Sequence, residues 1–341
     1  MYYFLNDYSE GALPQVMEAL ARTNTCATPG YGNDPYCREA VEKLQQRFAC
    51  PDADVHFLMG GTQANLTFLS AALRPWEAVI AADTAHIATH ETGAIEACGH
   101  KVLTVPNHGG KLLPEQIRQV WAAHGGGKDE HMVLPRLVYV SNATELGTVY
   151  TRAELEAICA AAHRYHIPVF VDGARLAYGL AASDITMPDL ARLADVFYIG
   201  GTKSGALFGE AVVITNDSLK RDFRYFIKQR GALLAKGRLL GVQFLALLSD
   251  GLYEQIGQQA VAQALRIKKA FQDKGWPFLV DSPTNQQFVV VPDPVYERIR
   301  QSYSTEHNGK PDPDHTAIRF CTTWSTRDED IDALIRDIQA L

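Results

Sequence analysis

A lysine stands in "YIGGTKSG", residues 198–205, between a glycine pair and a serine and just after a short apolar run. Such a lysine could cradle a nucleotide phosphate, act as a covalent amine, or be a solvated turn residue. The phosphate-loop pattern G-x-x-x-x-G-K-[ST] requires glycine immediately before the lysine. Thr202 holds that place, so the amides are not arrayed to ring a diphosphate. Gly60-Gly61-Thr62 is not G-x-G-x-x-G either, so the usual dinucleotide fingerprint is missing.

The covalent reading needs partners. An amine that forms a Schiff base with pyridoxal phosphate needs an acid facing the pyridine nitrogen, which keeps the ring an electron sink. It needs backbone amides at a helix start for the phosphate. It needs a flat group against the ring and, for an amino-acid substrate, an arginine for the carboxylate. Each is present, in chain order: Gly61-Thr62, His86, Asp172, then Lys203, with Arg175 and Arg319 as candidate carboxylate clamps. Taken singly, a Gly-Gly-Thr or an Asp-Gly is an ordinary turn. Their shared position at the ends of apolar runs is what points to one site, because open α/β sheets bind ligands at the carboxyl ends of their strands. His86, His90, Glu91 or an ordered water could take a hydroxyl proton; a histidine has a suitable intrinsic pKa, and the base stays unassigned with water or His86 favoured. The ordinary reading of His90 and Glu91 is a pair on a helix surface.

The elements that must hold these residues alternate. "DVHFL", "EAVIAAD", "KVLTVP", "RLVYVSN", "IPVFVD", "ADVFYIG" and "EAVVITN" read as buried strands, and helical patterns such as "TQANLTFLSAAL" and "TRAELEAICAAAHRYH" lie between them. That pattern predicts an α/β fold with a mostly parallel central sheet flanked by helices. "LLGVQFLALLSDGLYEQIGQQAVAQALRIKKAFQDKG" reads as one long helical stretch, stopped at Lys274-Gly275. The remainder predicts a smaller C-terminal α+β lobe, its last helix capped by Ser325 or Thr326. The organisation expected is an N-terminal arm and helix over 1–45, a cofactor-binding α/β domain over 46–245 and a small domain over 246–341.

Bulk properties narrow the partners. The chain has 341 residues, 47% of them hydrophobic, and a net charge of −7 without a block of like charges. A mildly acidic surface argues against nucleic acid and anionic membranes. No window is long and apolar enough for a membrane span, and "MYYFLNDYSEGALPQ" lacks the basic start and apolar core of a signal peptide. Six scattered cysteines without a C-x-x-C pair suit free thiols in a reducing cytoplasm rather than a metal site.

At these residues the chain resembles the threonine aldolase and β-eliminating lyase group of fold-type I pyridoxal-phosphate enzymes, which have the aspartate aminotransferase fold. Within that group it is similar to the low-specificity L-threonine aldolases. The stretches that carry the resemblance span nearly the whole chain: "YGNDPY" (31–36), "GGTQANL" (60–66), "HIATHETGAIEACGHK" (86–101), "TELGTVYT" (144–151), "DGARLAYGL" (172–180), "GGTKSGALFGEAVV" (200–213), "KQRGALLAKGRLLGVQF" (228–244) and "IRFCTTWST" (318–326). The resemblance implies that Lys203 carries the cofactor, Asp172 pairs with the pyridine nitrogen, His86 stacks on the ring, and Gly61 and Thr62 bind the phosphate. It implies that Arg175 and Arg319 hold the substrate carboxylate. Tyr31 would come from a neighbouring subunit of a homodimer or homotetramer, and Lys228, Lys236 or Arg238 would reach the neighbour's phosphate.

Where the group tends to read Ser-Asp-Asn near its start, this chain reads "NDY", so Asn6 takes the place of a carboxylate-contacting serine. The expected reaction is retro-aldol cleavage of an L-β-hydroxy-α-amino acid to glycine and an aldehyde. The alternatives are β-elimination, a phenylserine-type aldolase, or a non-catalytic cofactor binder. The last of these would be marked by loss of Lys203 or Asp172, and both are present.

Overall fold

All seven apolar runs enter one sheet. The computed structural model describes residues 1–341, and its central strands are β1 (Asp54–Leu58), β2 (Glu77–Ala82), β3 (Lys101–Val105), β4 (Leu134–Ser141), β5 (Val169–Asp172), β6 (Val196–Gly200) and β7 (Glu210–Ile214). Their order across the sheet is β1-β7-β6-β5-β4-β2-β3. Only β7 runs against its neighbours, β1 and β6; the other pairs are parallel. Every residue of β5, β6 and β7 is buried. That explains their unbroken apolar runs, since a strand covered on both faces has no polar side to show. Alternation still decides which face each side chain joins. Val169, Val171, Phe197 and Ile199 enter one core cluster, while Phe170, Val196 and Tyr198 enter the other.

Helices α1 (Pro14–Thr23), α2 (Pro35–Arg47), α3 (Gly61–Ala72) and α4 (Arg152–His163) come before or between the strands. Their starts are chemically marked. Asp34 caps α2 by accepting from Cys37 N at 2.9 Å. Thr151 opens α4 with a reciprocal box: its hydroxyl accepts from Glu154 N at 3.2 Å, and its own N–H donates to the Glu154 carboxylate at 2.8 Å.

The long helical stretch after residue 238 is two helices, α5 (Arg238–Leu247) and α6 (Leu252–Asp273). They are parted where Asp250 and Gly251 take left-handed φ values of 53° and 71°. Left-handed backbone favours glycine and tolerates aspartate, so the Asp-Gly pair is the break. The small sheet, in order β9-β10-β8, consists of β8 (Gln286–Pro292), β9 (Glu306–His307) and β10 (His315–Cys321), all antiparallel. The closing helix α7 (Asp328–Ala340) is capped by neither Ser325 nor Thr326. The Thr326 hydroxyl accepts from Thr323 N at 2.8 Å, and Ser325 pairs with the Thr323 hydroxyl. Asp328, Glu329 and Asp330 complement the positive end of the α7 dipole instead.

A boundary at residue 245 falls inside α5, and α6 serves both lobes. Its Tyr253, Ile256 and Ala260 belong to the large core, and its Ile267 and Phe271 to the small one with Val289, Phe320 and Leu334. The N-terminal arm also splits. Leu13 and Val16 join the large core, but Tyr2–Tyr3 pair with Tyr303–Ser304 and Phe4 is buried in the small lobe.

Candidate active site

The carboxyl ends of β1, β2, β4, β5 and β6 face one cavity of about 380 Å³. A larger groove of about 770 Å³ runs between α1, α2, α5 and α6, but it holds none of the residues that order themselves at strand ends. The chemistry converges on the smaller space, whose lining includes Gly61, Thr62, His86, Asp172, Arg175 and Lys203.

Asp172 ends β5 and is 4% exposed. Its Oδ2 accepts from the Tyr139 hydroxyl in a short bond and from Asn65 Nδ2 at 3.3 Å, and its Oδ1 accepts from Ala174 N at 2.9 Å. A carboxylate offers about four lone-pair sites, so Oδ1 can still face one cationic N–H from the cavity. Burial and the Asp172 charge push the Tyr139 and Tyr198 phenols well above their usual range, which keeps both as donors. Gly173 follows because nothing larger fits: a Cβ there would lie 1.9 Å from the Tyr198 carbonyl oxygen.

Lys203 sits on the turn after β6, which β7 clasps from beside it. Glu210 Oε1 accepts from the Thr202 hydroxyl at 2.8 Å, and its Oε2 accepts from Gly201 N at 3.1 Å. Burial, and next the Arg175 guanidinium, lower the Lys203 pKa below the ordinary ammonium value, while Asp7, Asp172 and Glu210 oppose that shift. The direction favours a neutral, nucleophilic amine. Burial pushes Glu210 up to about 8, so the clasp holds a proton near neutral pH.

The start of α3 forms another wall. Gly60, Gly61 and Thr62 line the cavity, and the first amides of a helix have no intrahelical acceptor. With the dipole of a 12-residue helix behind them, they make an anion site. A Cβ on Gly61 would come within 3.0 Å of the Tyr198 hydroxyl. Glycine keeps that approach open.

His86 is fixed by two carboxylates. Its N–H donates to Glu145 Oε1 at 2.9 Å, and its Nδ1 faces Glu91 Oε1 at 2.7 Å. Glu91 also accepts from Asn65 Nδ2 at 2.7 Å, so one asparagine ties the His86 support to Asp172. The Glu91 oxygen beside Nδ1 fixes the orientation of the flat His86 ring. Glu91 is 5% exposed and is not half of a surface pair. His90 is exposed at the cavity's edge with its ring centroid 5.6 Å from that of His86. Burial, then the neighbouring His86, lower its pKa and favour the neutral ring.

Arg175 lines the cavity, held by Asp7. Its Nε donates to Asp7 Oδ2 at 2.7 Å and its Nη2 to Oδ1 at 3.0 Å, and Asn285 Nδ2 adds a third donor to Asp7 at 3.0 Å. Burial would raise Asp7, but the Arg175 and Lys203 charges outweigh it and hold the carboxyl at about 2. The pair leaves Arg175 Nη1 without a protein acceptor, so the guanidinium is oriented rather than consumed.

Several sequence expectations land elsewhere. Arg319 does not line the cavity. On β10 it pairs with Glu306 and donates to Gln286 Oε1 at 3.0 Å and to the Leu5 carbonyl at 3.1 Å, while its charge still acts on His90 at the cavity's edge. The Asn6 side chain also stays outside. Its Oδ1 accepts from Tyr8 N at 3.0 Å and Ser9 Oγ at 2.8 Å, closing a local turn. Arg238 donates to the Thr23, Asn24 and Cys26 carbonyls, so it closes the carboxyl end of α1, with Nε and one Nη2 N–H left over. Lys228 lies over the Tyr31 ring at 4.7 Å, both exposed and outside this chain's own cavity, and Lys236 is exposed.

The sequence reading missed Asp7, Asn65, Tyr139, Glu145, Tyr198 and Glu210. Asp7 stands beside Asn6 in "NDY", and Asn65, Glu145 and Glu210 lie within stretches that carry the resemblance, but none was given a role.

Comparison with known proteins follows the same lines. The model of the beta-eliminating lyase family matches residues 4–293. The chain is 32% identical to the low specificity L-threonine aldolase of Pseudomonas sp. strain NCIMB 10558, over 99% of this chain and 97% of that relative. The low specificity L-threonine aldolase of Pseudomonas aeruginosa is 32% identical over 98% of this chain and 96% of its own length. Among solved structures, the threonine aldolase of Leishmania major matches with a TM-score of 0.96 at 43% identity, covering 100% of this chain and 99% of that one. A Thermus thermophilus aspartate aminotransferase matches at 0.72 with 14% identity, covering 100% of this chain and 92% of that one, and so shares the fold.

Proposed function

The chain belongs to the beta-eliminating lyase family, and from that premise we propose that it is a pyridoxal-phosphate-dependent carbon–carbon lyase that cleaves L-threonine-type β-hydroxy-α-amino acids to glycine and an aldehyde. The observation that carries this reading is the placement of Lys203 and Asp172 at the ends of adjacent buried strands, facing one cavity with a helix N-terminus in its wall. The threonine aldolase relatives support it from sequence and from structure.

The donor set suits the cofactor. The Gly60–Thr62 amides would hold its phosphate, Asp172 would face the ring nitrogen, His86 would support the ring, and Lys203 would be the amine that anchors its aldehyde. When bound, the cofactor supplies an electron sink for the pair released as the Cα–Cβ bond breaks. The protein does the rest. Asp172, held by Tyr139, Asn65 and Ala174 N, keeps the proton on the ring nitrogen. Arg175 Nη1, aimed by Asp7, holds the substrate carboxylate, and that grip sets which bond at Cα is broken. His90, kept neutral, accepts the β-hydroxyl proton. Lys203, its pKa lowered by burial, would serve as the amine that holds the cofactor until substrate binds. Lys228 and Tyr31 complete the cavity of a neighbouring subunit in a homo-oligomer.

The test is incubation of the cofactor-loaded protein with a panel of β-hydroxy amino acids, reading glycine and aldehyde. Equal yields of both are expected, and Lys203→Ala should abolish them together with the near-visible absorbance of the anchored cofactor. A keto acid and ammonia instead would move the enzyme to β-elimination. Full activity in Lys203→Ala would overturn the mechanism.

A further inference from the structure

We propose that Tyr8 is a specificity-determining residue of this site, its ring forming the wall on which the substituent of the substrate's β-carbon packs, so that aryl groups are favoured over methyl. The inference rests on the lyase reading above and deepens it to a substrate class. It starts from the arm. Asp7 is fully buried and fixed by Arg175 and Asn285, and Asn6 closes the turn that holds Tyr8 N. With both preceding residues committed, the direction of residue 8 is set by the backbone, and the Tyr8 ring lines the cavity. Lys203 Nζ lies 5.9 Å from the ring centroid, which puts the ring beside the reacting amine without blocking it.

Tyr8 is nonetheless 56% exposed, and Met59, the other large exposed apolar side chain on this lining, is 39% exposed. The rest of the wall is mostly polar, with Ser141, Glu145, Thr202 and His86 among its residues. Open aromatic surface next to a catalytic amine is surface for a ligand to cover. A methyl group covers little of a phenol ring, whereas an aryl group can stack on it or meet its edge.

The experiment compares wild type, Tyr8→Phe and Tyr8→Ala, all loaded with pyridoxal phosphate, on L-β-phenylserine and L-threonine. The ratio of kcat/KM for phenylserine over threonine should fall about tenfold in Tyr8→Ala, since losing one aromatic contact shifts discrimination by that order. Tyr8→Phe, which keeps the ring, should hold the ratio within about twofold. A parallel readout is the affinity for L-phenylalanine relative to L-alanine, followed by the change in absorbance of the bound cofactor. That ratio should fall by a similar factor in Tyr8→Ala. Equal losses on both substrates, or a Tyr8→Phe ratio as low as that of Tyr8→Ala, would overturn the assignment. If wild type releases aldehyde from neither substrate, the lyase reading fails, and the phenylalanine-to-alanine affinity ratio decides the Tyr8 wall by itself.

Discussion

Asp7→Asn removes one charge from a bidentate pair whose carboxylate is fully buried and whose guanidinium is 11% exposed. The amide keeps the shape but leaves the Arg175 cation uncompensated. Removing one partner of a buried pair costs about 3–5 kcal/mol. Unfolding entropy of roughly 2.1 cal/mol/K per residue, over 341 residues, converts that to a fall in Tm of about 4–7 °C. The pH dependence gives a second handle. Asp7 is lowered from 3.8 to about 2 in the fold, so its ionisation adds about 2–2.5 kcal/mol. A depressed carboxyl contributes fully above its unfolded pKa and loses its contribution as pH falls through the folded value. The Tm gap between wild type and variant should therefore be flat above about pH 5 and lose about half of this ionisation component by pH 3. The assay is thermal unfolding followed by circular dichroism across that range, repeated in an Arg175→Met background, where the cost of Asp7→Asn should shrink. Variant and wild type melting within about 1 °C at pH 7, or an equal cost in both backgrounds, would refute the reasoning.

Asp172→Asn should retain the cofactor, seen by absorbance, while turnover of β-hydroxy amino acids falls by orders of magnitude, because an amide cannot hold the ring proton as a carboxylate does. Glu210→Gln should flatten the pH dependence of thermal stability. Its folded pKa is raised from 4.5 to about 8, so the wild-type contribution is complete below about 4.5 and lost as pH rises through about 8; a variant with the wild-type slope would rule this out. Arg238→Met should lower Tm by a few degrees through its three lost charged hydrogen bonds, followed by thermal unfolding; an unchanged Tm would rule this out.

The strands and the residues that gather at their carboxyl ends were legible because their signals are local. An unbroken apolar run ending in Asp172 or followed by Lys203 carries its meaning within a few positions. The cavity's supporting groups have no such signal. Tyr139 meets Asp172 across two paired strands, Asn65 meets Glu91 and Asp172 from a helix, and Asp7 meets Arg175 from another part of the chain. Each is a common residue type whose partner is set only by the sheet order. Arg319 shows the same limit: its strand reads correctly, but the Glu306 that pairs with it is set only by strand register. The break at Asp250-Gly251 was written in the sequence, and the strong helical periodicity on either side masked it.

The pairing of Tyr2–Tyr3 with Tyr303–Ser304, and of Phe4 with Cys321, bears on how the molecule is born. At about 5–20 residues per second, roughly 300 positions separate these partners by some 15–60 s of ribosome time. Throughout that interval Tyr2–Phe4 lack the residues they pair with, while Leu13 and Val16 a few positions on can already join the large core. The outermost residues of the arm are thus among the last parts to set, and they close the start of the chain onto the last-made lobe.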